Sequence, residues 1–246
     1  MYHFFVPQRN CREDHILIDG QDVNHIKNVL RMKPGQEIIV YGQEDQKEYL
    51  CEIESLHEDR IYCKISMIKD NHTELSSRIT LYQALPKLDK MELIIQKTVE
   101  LGVHRIVPVV TARSIVKLDD SKAKSKINRW QQIAQSAAKQ AGRAMIPEIA
   151  NLLSFQEALA QARRNTVKLL AYECETDFTN TKSILQAIQP NTDICVFIGP
   201  EGGFTPTEVT AARSSDLIPI TLGRRILRTE TAGMTVLSWI VFCLEE

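Results

Sequence analysis

From residue 77 onward the chain alternates short apolar runs with amphipathic helical patterns, and this constrains its fold more than any other feature. Residues 79–85, 105–110, 167–172, 193–199 and 217–222 are aliphatic and β-branched with little polar interruption. Strands buried on both faces read this way, and they belong to parallel sheets covered by helices. Helical patterns fall between them, at residues 89–101, 121–143, 154–163, 180–189, 206–214 and 230–244. Asp89 and Glu92 have capping-box spacing at the first, and Gly102 stands at its end. Ile127, Trp130, Ile133, Ala134 and Ala137 form the apolar face of the second. Parallel strands need crossovers, so the reading is an α/β domain.

The first 70 residues follow a different rule. Residues 4–6, 15–19, 37–41, 49–54 and 60–68 alternate apolar with polar positions, and turn signals such as Asp19-Gly20 and Lys33-Pro34-Gly35 separate them. One helix interrupts, with Val23, Ile26, Val29 and Leu30 expected on one face and Asp22 as its cap. Five or six short strands at this spacing predict a small barrel. The polar stretch 69–74 reads as a linker, dividing the chain into residues 1–72 and 73–246.

Charge does not announce a partner: the net charge is −1. Residues 1–72 carry 9 Lys and Arg against 13 Asp and Glu, and the remainder 21 against 18. That mild basic bias permits RNA binding without arguing for it. The six cysteines include no Cys-x-x-Cys pair and are expected to be reduced and buried, as in a cytoplasmic protein. The histidines have no metal-ligand spacing, so no metal is expected. No signal segment and no membrane-length apolar run is visible.

Two segments carry chemistry. In the first, a buried strand runs into Gly199-Pro200-Glu201-Gly202-Gly203; Thr205, Pro206 and Glu208 then form the signature of a capped helix start. Ligands of open α/β sheets sit outside the carboxyl ends of strands, and three glycines exceed what a bare turn needs. Glu201 suits a cationic or amine-bearing ligand better than a phosphate. Neither a phosphate-binding Gly-x-x-x-x-Gly-Lys nor a dinucleotide-type Gly-x-Gly-x-x-Gly is present. In the second, Leu222-Gly223-Arg224-Arg225-Ile226-Leu227-Arg228 sets three arginines among apolar residues, before a helix with Thr229 as expected cap. Arginine is the residue of phosphate recognition. The last helix, from Ala232, is apolar nearly all round and must be covered, which points to a subunit interface or to deep packing among loops.

Ile198-Gly-Pro-Glu-Gly-Gly-Phe204 and Leu222-Gly-Arg-Arg-Ile-Leu-Arg-Thr-Glu-Thr-Ala232 together resemble the ribosomal RNA small subunit methyltransferase E family of the SPOUT superfamily. The start 3–6 with Arg9, the stretches 85–87 and 96–103, Pro108 to Ser114, and 130–143 resemble it too, so the likeness spans the chain. It implies an α/β SPOUT domain ending in a trefoil knot, preceded by a PUA-like RNA-binding barrel. It also implies S-adenosylmethionine as cofactor, a homodimer in the cytoplasm, and N3 of one uridine in the decoding-site helix of 16S ribosomal RNA as target.

On that resemblance the cofactor pocket would comprise Leu170, Ala171, Tyr172, Gly199, Pro200, Glu201, Gly202, Gly203, Leu222, Gly223, Ile226 and Leu227. Arg228 would hold the uridine or its phosphate, Glu201 would handle a proton or the cofactor, and Arg9, Arg113 and Arg143 would contact RNA. Two alternatives stay open: a SPOUT enzyme acting on another RNA or on a ribose 2′-hydroxyl, and a non-catalytic RNA-binding assembly factor.

Overall fold

The computed structural model describes residues 1–45, 47–70, 72–114 and 120–245, in two compact units. The first comprises residues 1–74 with 138–146, the second residues 75–137 with 147–246. The end of the long helix and its following turn therefore belong with the N-terminal residues, a long-range association that a reading along the chain misses.

The N-terminal unit is a five-stranded sheet of β1 (His3–Val6), β2 (His15–Asp19), β3 (Glu37–Gly42), β4 (Glu48–Leu56) and β5 (Arg60–Lys69), in the order β1-β3-β4-β5-β2. Only β1 and β3 run parallel. Two register shifts in the β4–β5 pair disturb the ladder, the kind of irregularity that bends a sheet so that one face wraps a core. Phe4, Ile16, Ile38, Val40, Cys51 and Ile53 fill that core. The expected helix begins as α1 (Gln21–Asn24) and loosens into a π-turn over His25–Val29. The wider turn shifts the phase, leaving Val29 62 % exposed rather than on the apolar face. Asp22 is no cap; its carboxylate accepts from Lys139 Nζ at 2.8 Å. Arg143 Nη2 donates to Glu74 Oε2 at 2.5 Å, and Glu74 Oε1 accepts from Ala144 N at 3.0 Å.

In the second unit β6 (Arg78–Ala84), β7 (Arg105–Val110), β8 (Glu148–Ile149), β9 (Leu153–Ser154), β10 (Val167–Ala171), β11 (Asp193–Ile198) and β12 (Ile218–Ile220) form one parallel sheet. Its order is β12-β10-β11-β6-β7-β8, with β9 also on β7. Around it stand α2 (Lys90–Glu100), α3 (Asp120–Gln140), α4 (Phe155–Ala162), α5 (Phe178–Gln186), α6 (Pro206–Arg213) and α7 (Thr229–Leu244). Tyr82 of β6 stacks on Phe197 of β11 at 4.4 Å between centroids, and Phe155 meets Phe197 edge-on. The two-residue strands β8 and β9 are too short to show any periodicity and were not expected.

Helix starts test the capping arguments. At α6, Thr205 Oγ1 accepts from Glu208 N at 3.2 Å and Glu208 Oε2 accepts from Thr205 N at 2.9 Å, the reciprocal box that the sequence predicts. At α2, Asp89 makes no cap hydrogen bond; Glu92 is drawn away, accepting from Arg129 Nε at 2.6 Å and Nη2 at 3.0 Å. At α7, Arg228 occupies the cap position without a side-chain bond, and Thr229 is already helical. α7 buries Val236, Leu237 and Ile240 completely but leaves Phe242 85 % exposed. Of the six free cysteines, Cys51, Cys63 and Cys195 are buried, Cys11 is half-buried, and Cys174 and Cys243 are exposed, against the expectation for all six.

Candidate active site

Every strand of the second sheet points the same way, so the segments leaving β10, β11 and β12 emerge at one edge. Together they enclose a cavity of about 400 Å³, within the range of small-molecule sites. Its walls are Ala171 to Glu173 after β10, Ile198 to Gly203 after β11, and Thr221 to Thr229 with Ala232 after β12. Of the expected pocket residues, Leu170 is the exception: it is fully buried and packs in the hydrophobic core. Glu173, Thr221, Arg224, Arg225 and Thr229 line the cavity in addition to the expected cofactor set. The arginine run already marked Arg224 and Arg225; nothing local marked Glu173.

The loop after β11 is held from several sides. Gly203 has φ +67°, and a Cβ there would collide with the Glu173 carboxylate. The left-handed backbone favours glycine, and a larger residue would also have to push the Glu173 carboxylate aside. Arg113 Nη1 donates to Gly202 O at 2.6 Å, so this arginine braces the loop. Glu208 Oε1 accepts from Ala112 N at 2.8 Å, fastening the start of α6 to the same segment.

Glu201 Oε1 accepts from Lys87 N and from Lys90 Nζ, each at 3.1 Å, and Lys90 lies 3.3 Å from Glu230. Partial burial pushes the Glu201 carboxyl upward, but its own backbone, Lys90 and Lys87 outweigh this and hold it below the ordinary value. An ionised, bonded carboxylate is a weaker proton acceptor, so its geometry is that of an anchor. Arg224, Arg225 and Arg228 are exposed around the cavity, and Ile226 stands 88 % exposed among them. Arg9 is exposed in the N-terminal unit. Arg143 corrects the expectation of a surface contact: its side chain is 4 % exposed and engaged by Glu74. Among the described residues, no cluster of three or more His, Cys, Asp or Glu could hold a metal, and no helix is long and apolar enough to cross a membrane.

Known proteins align with this arrangement along nearly its whole length. An RNA methyltransferase domain family matches residues 73–241, and an RNA methyltransferase PUA domain family matches residues 18–66. The ribosomal RNA small subunit methyltransferase E of Bacillus subtilis is 38 % identical over 93 % of this chain and 90 % of its own length. The chain belongs to the ribosomal RNA small subunit methyltransferase E family. The family's protein from Mesomycoplasma hyopneumoniae is 34 % identical over 97 % of this chain and 98 % of its own. Among solved structures, the family's Neisseria gonorrhoeae protein bound to S-adenosylmethionine superposes with a TM-score of 0.82 at 31 % identity, covering 97 % of this chain and 95 % of that one. A Legionella pneumophila methyltransferase in complex with the same cofactor gives 0.85 at 30 % identity, covering 97 % and 96 %. The fold is accordingly a SPOUT α/β domain preceded by a PUA-like domain.

Proposed function

We propose that this chain methylates N3 of one uridine in the decoding-site helix of 16S ribosomal RNA, in the cytoplasm, using S-adenosylmethionine. The observation that carries the reading is the three-loop cavity at the carboxyl edge of the parallel sheet. As a member of its family the chain is a methyltransferase of small-subunit ribosomal RNA, and S-adenosylmethionine is its cofactor.

The residues present fit that cofactor. Gly223, with φ +102° and nothing within 4 Å of where a Cβ would stand, leaves bare backbone on the cavity wall for a ligand to approach, and the mixed lining of Ala171, Tyr172, Leu222 and Leu227 with polar loop atoms suits an amphipathic nucleoside. When bound, the cofactor supplies a methyl group already activated by its sulfonium, so the chain's task is orientation and exclusion of water. Uridine N3 lies on the pairing edge, so the base has to leave its stack to reach the cavity. Its N3–H proton is released to solvent, and while that bond breaks ahead of methyl arrival negative charge develops on the base and needs stabilising; transfer of the methyl from the sulfonium then leaves a neutral base and a neutral thioether. Arg228, an exposed cation on the cavity wall, is the group we assign to that charge or to the adjoining phosphate. Glu201 we assign to holding the loop after β11 against Lys87 and Lys90, in place of proton transfer.

Arg9 and the PUA-like unit we assign to RNA binding. The partner arrangement we propose is a homodimer through α7, supported by its exposed Phe242; sedimentation at micromolar concentration as a stable 28.0 kDa monomer would reject it. The trefoil knot is part of the same proposal. The test of function is mass mapping of 16S ribosomal RNA from a deletion strain with and without this gene. Loss and restoration of one N3-methyluridine in the decoding-site helix is expected. A ribose methylation or a different RNA losing its mark would replace the uridine assignment.

A further inference from the structure

Gln83 is a fully buried polar side chain in β6: it is 0 % exposed and does not line the cavity. Its Nε2 donates to Thr229 Oγ1 at 2.9 Å and to Ala84 O at 3.0 Å. Thr229 Oγ1 in turn donates to Gly199 O at 2.6 Å. Thr229 closes the segment after β12 and opens α7, whereas Gly199 opens the loop after β11. The Thr229 hydroxyl thus links two cavity walls that are 30 residues apart in sequence, and Gln83 on a third strand holds that hydroxyl.

Two features say that this link serves more than packing. The hydroxyl uses its donor and an acceptor site at once, so the order of donation runs one way, from Gln83 through Thr229 to the Gly199 carbonyl. Meanwhile Gln83 Oε1 is buried with no hydrogen-bond partner. An apolar residue in β6 would carry no such orphan, and buried unsatisfied groups are rare enough to require an explanation. The amide is explained by what its nitrogen holds.

We propose that Gln83 and Thr229 form a positioning relay that sets the spacing between the loop after β11 and the loop after β12, and so the shape of the cofactor cavity. Neither residue takes part in the chemistry. The inference rests on the cavity being the cofactor site, and its test separates the two ideas.

The test is calorimetric binding of S-adenosylmethionine to the full chain and to Thr229→Val, Thr229→Ser, Gln83→Leu and the double variant Thr229→Val/Gln83→Leu, each checked for cooperative melting. Thr229→Val keeps the shape but removes the hydroxyl, and we expect cofactor affinity to fall about tenfold or more, roughly 1.4 kcal/mol. Thr229→Ser, which returns the hydroxyl, should recover most of that loss. Gln83→Leu should weaken binding to a similar degree, and the double variant should lose little beyond either single change, because both cut one chain of bonds. A purely structural role would instead lower melting temperatures and leave affinity in the folded protein unchanged. Unaltered affinity in Thr229→Val, additivity in the double variant, or no recovery in Thr229→Ser would each overturn the relay. If Thr229→Val fails to fold, Thr229→Ala against Thr229→Ser decides the same question. No binding by the unsubstituted chain would overturn the cavity assignment itself.

Discussion

The two units of this chain are both built on sheets, yet only one gathers its loops into a cavity. In the N-terminal unit most neighbouring strands are antiparallel, so successive connections leave from opposite edges. Its five strands cover a core, and the longest connection, between β2 and β3, is occupied by α1 and its π-turn. In the second unit all seven strands are parallel, so every carboxyl end faces one edge. Loops from β10, β11 and β12 therefore meet without any single one being long. The direction of strand pairing, more than composition, decides where a site can form.

That contrast is broken or sharpened by substitution on each side. The largest effect is expected in the N-terminal unit. Glu74→Ala would leave the buried Arg143 guanidinium without its carboxylate, a loss of about 3 kcal/mol in stability. Denaturant melting should register it, while cofactor affinity below the transition stays unchanged; equal damage to both would erase the distinction between the units.

Gly203→Val should act in the opposite sense. The left-handed backbone costs a branched residue about 1–2 kcal/mol, and the side chain would displace the Glu173 carboxylate, which lines the same cavity. S-adenosylmethionine affinity is expected to fall about a hundredfold, roughly 2.7 kcal/mol, with cooperative melting retained. Normal binding by a folded Gly203→Val protein would remove the loop from the site.

Arg228→Lys is a smaller and more selective change. It keeps the charge but loses the planar fork, and the methylation rate should drop about tenfold, some 1.4 kcal/mol of transition-state stabilisation. Cofactor affinity should scarcely move. Weak cofactor binding with a normal rate at saturation would transfer Arg228 from the RNA side of the cavity to the cofactor side.

The least effect should come from His15, whose Nδ1 lies 2.8 Å from Asp14 and Nε2 3.2 Å from Glu54. Asp14 foremost, then Glu54, raises its pKa above the ordinary 6.5. A raised folded-state pKa stabilises below the unfolded value and loses that contribution as pH rises through the folded one. The melting temperature of the parent chain should therefore exceed that of His15→Gln at about pH 5.5 and converge with it near about pH 8.5, straddling the usual imidazole range. A gap that widens with pH would contradict the ion pairing.

Local rules succeeded where the partners were neighbours in sequence. Thr205 and Glu208 lie three residues apart and cap α6 as their spacing requires. The fully buried strand runs announced a parallel sheet, and the glycine and arginine segments announced a ligand edge. Rules of the same kind failed where a distant group competed. Glu92 left its box for Arg129, Asp22 turned to Lys139, and Thr229 bonded Gly199 and Gln83 rather than capping α7.

By itself, then, the sequence determined the two folding patterns, the order of elements and the segments from which the site is made, because periodicity and capping are properties of neighbours along the chain. Only the tertiary structure decided which side chains face the cavity and which are consumed elsewhere. Leu170 went to the core, Arg113 to bracing Gly202, Arg143 to Glu74, and Glu173 and Thr229 to the cavity wall. Each of those outcomes depends on a partner tens of residues away, and which distant hydrogen-bond donor reaches an acceptor is set by how strands and helices pack in three dimensions.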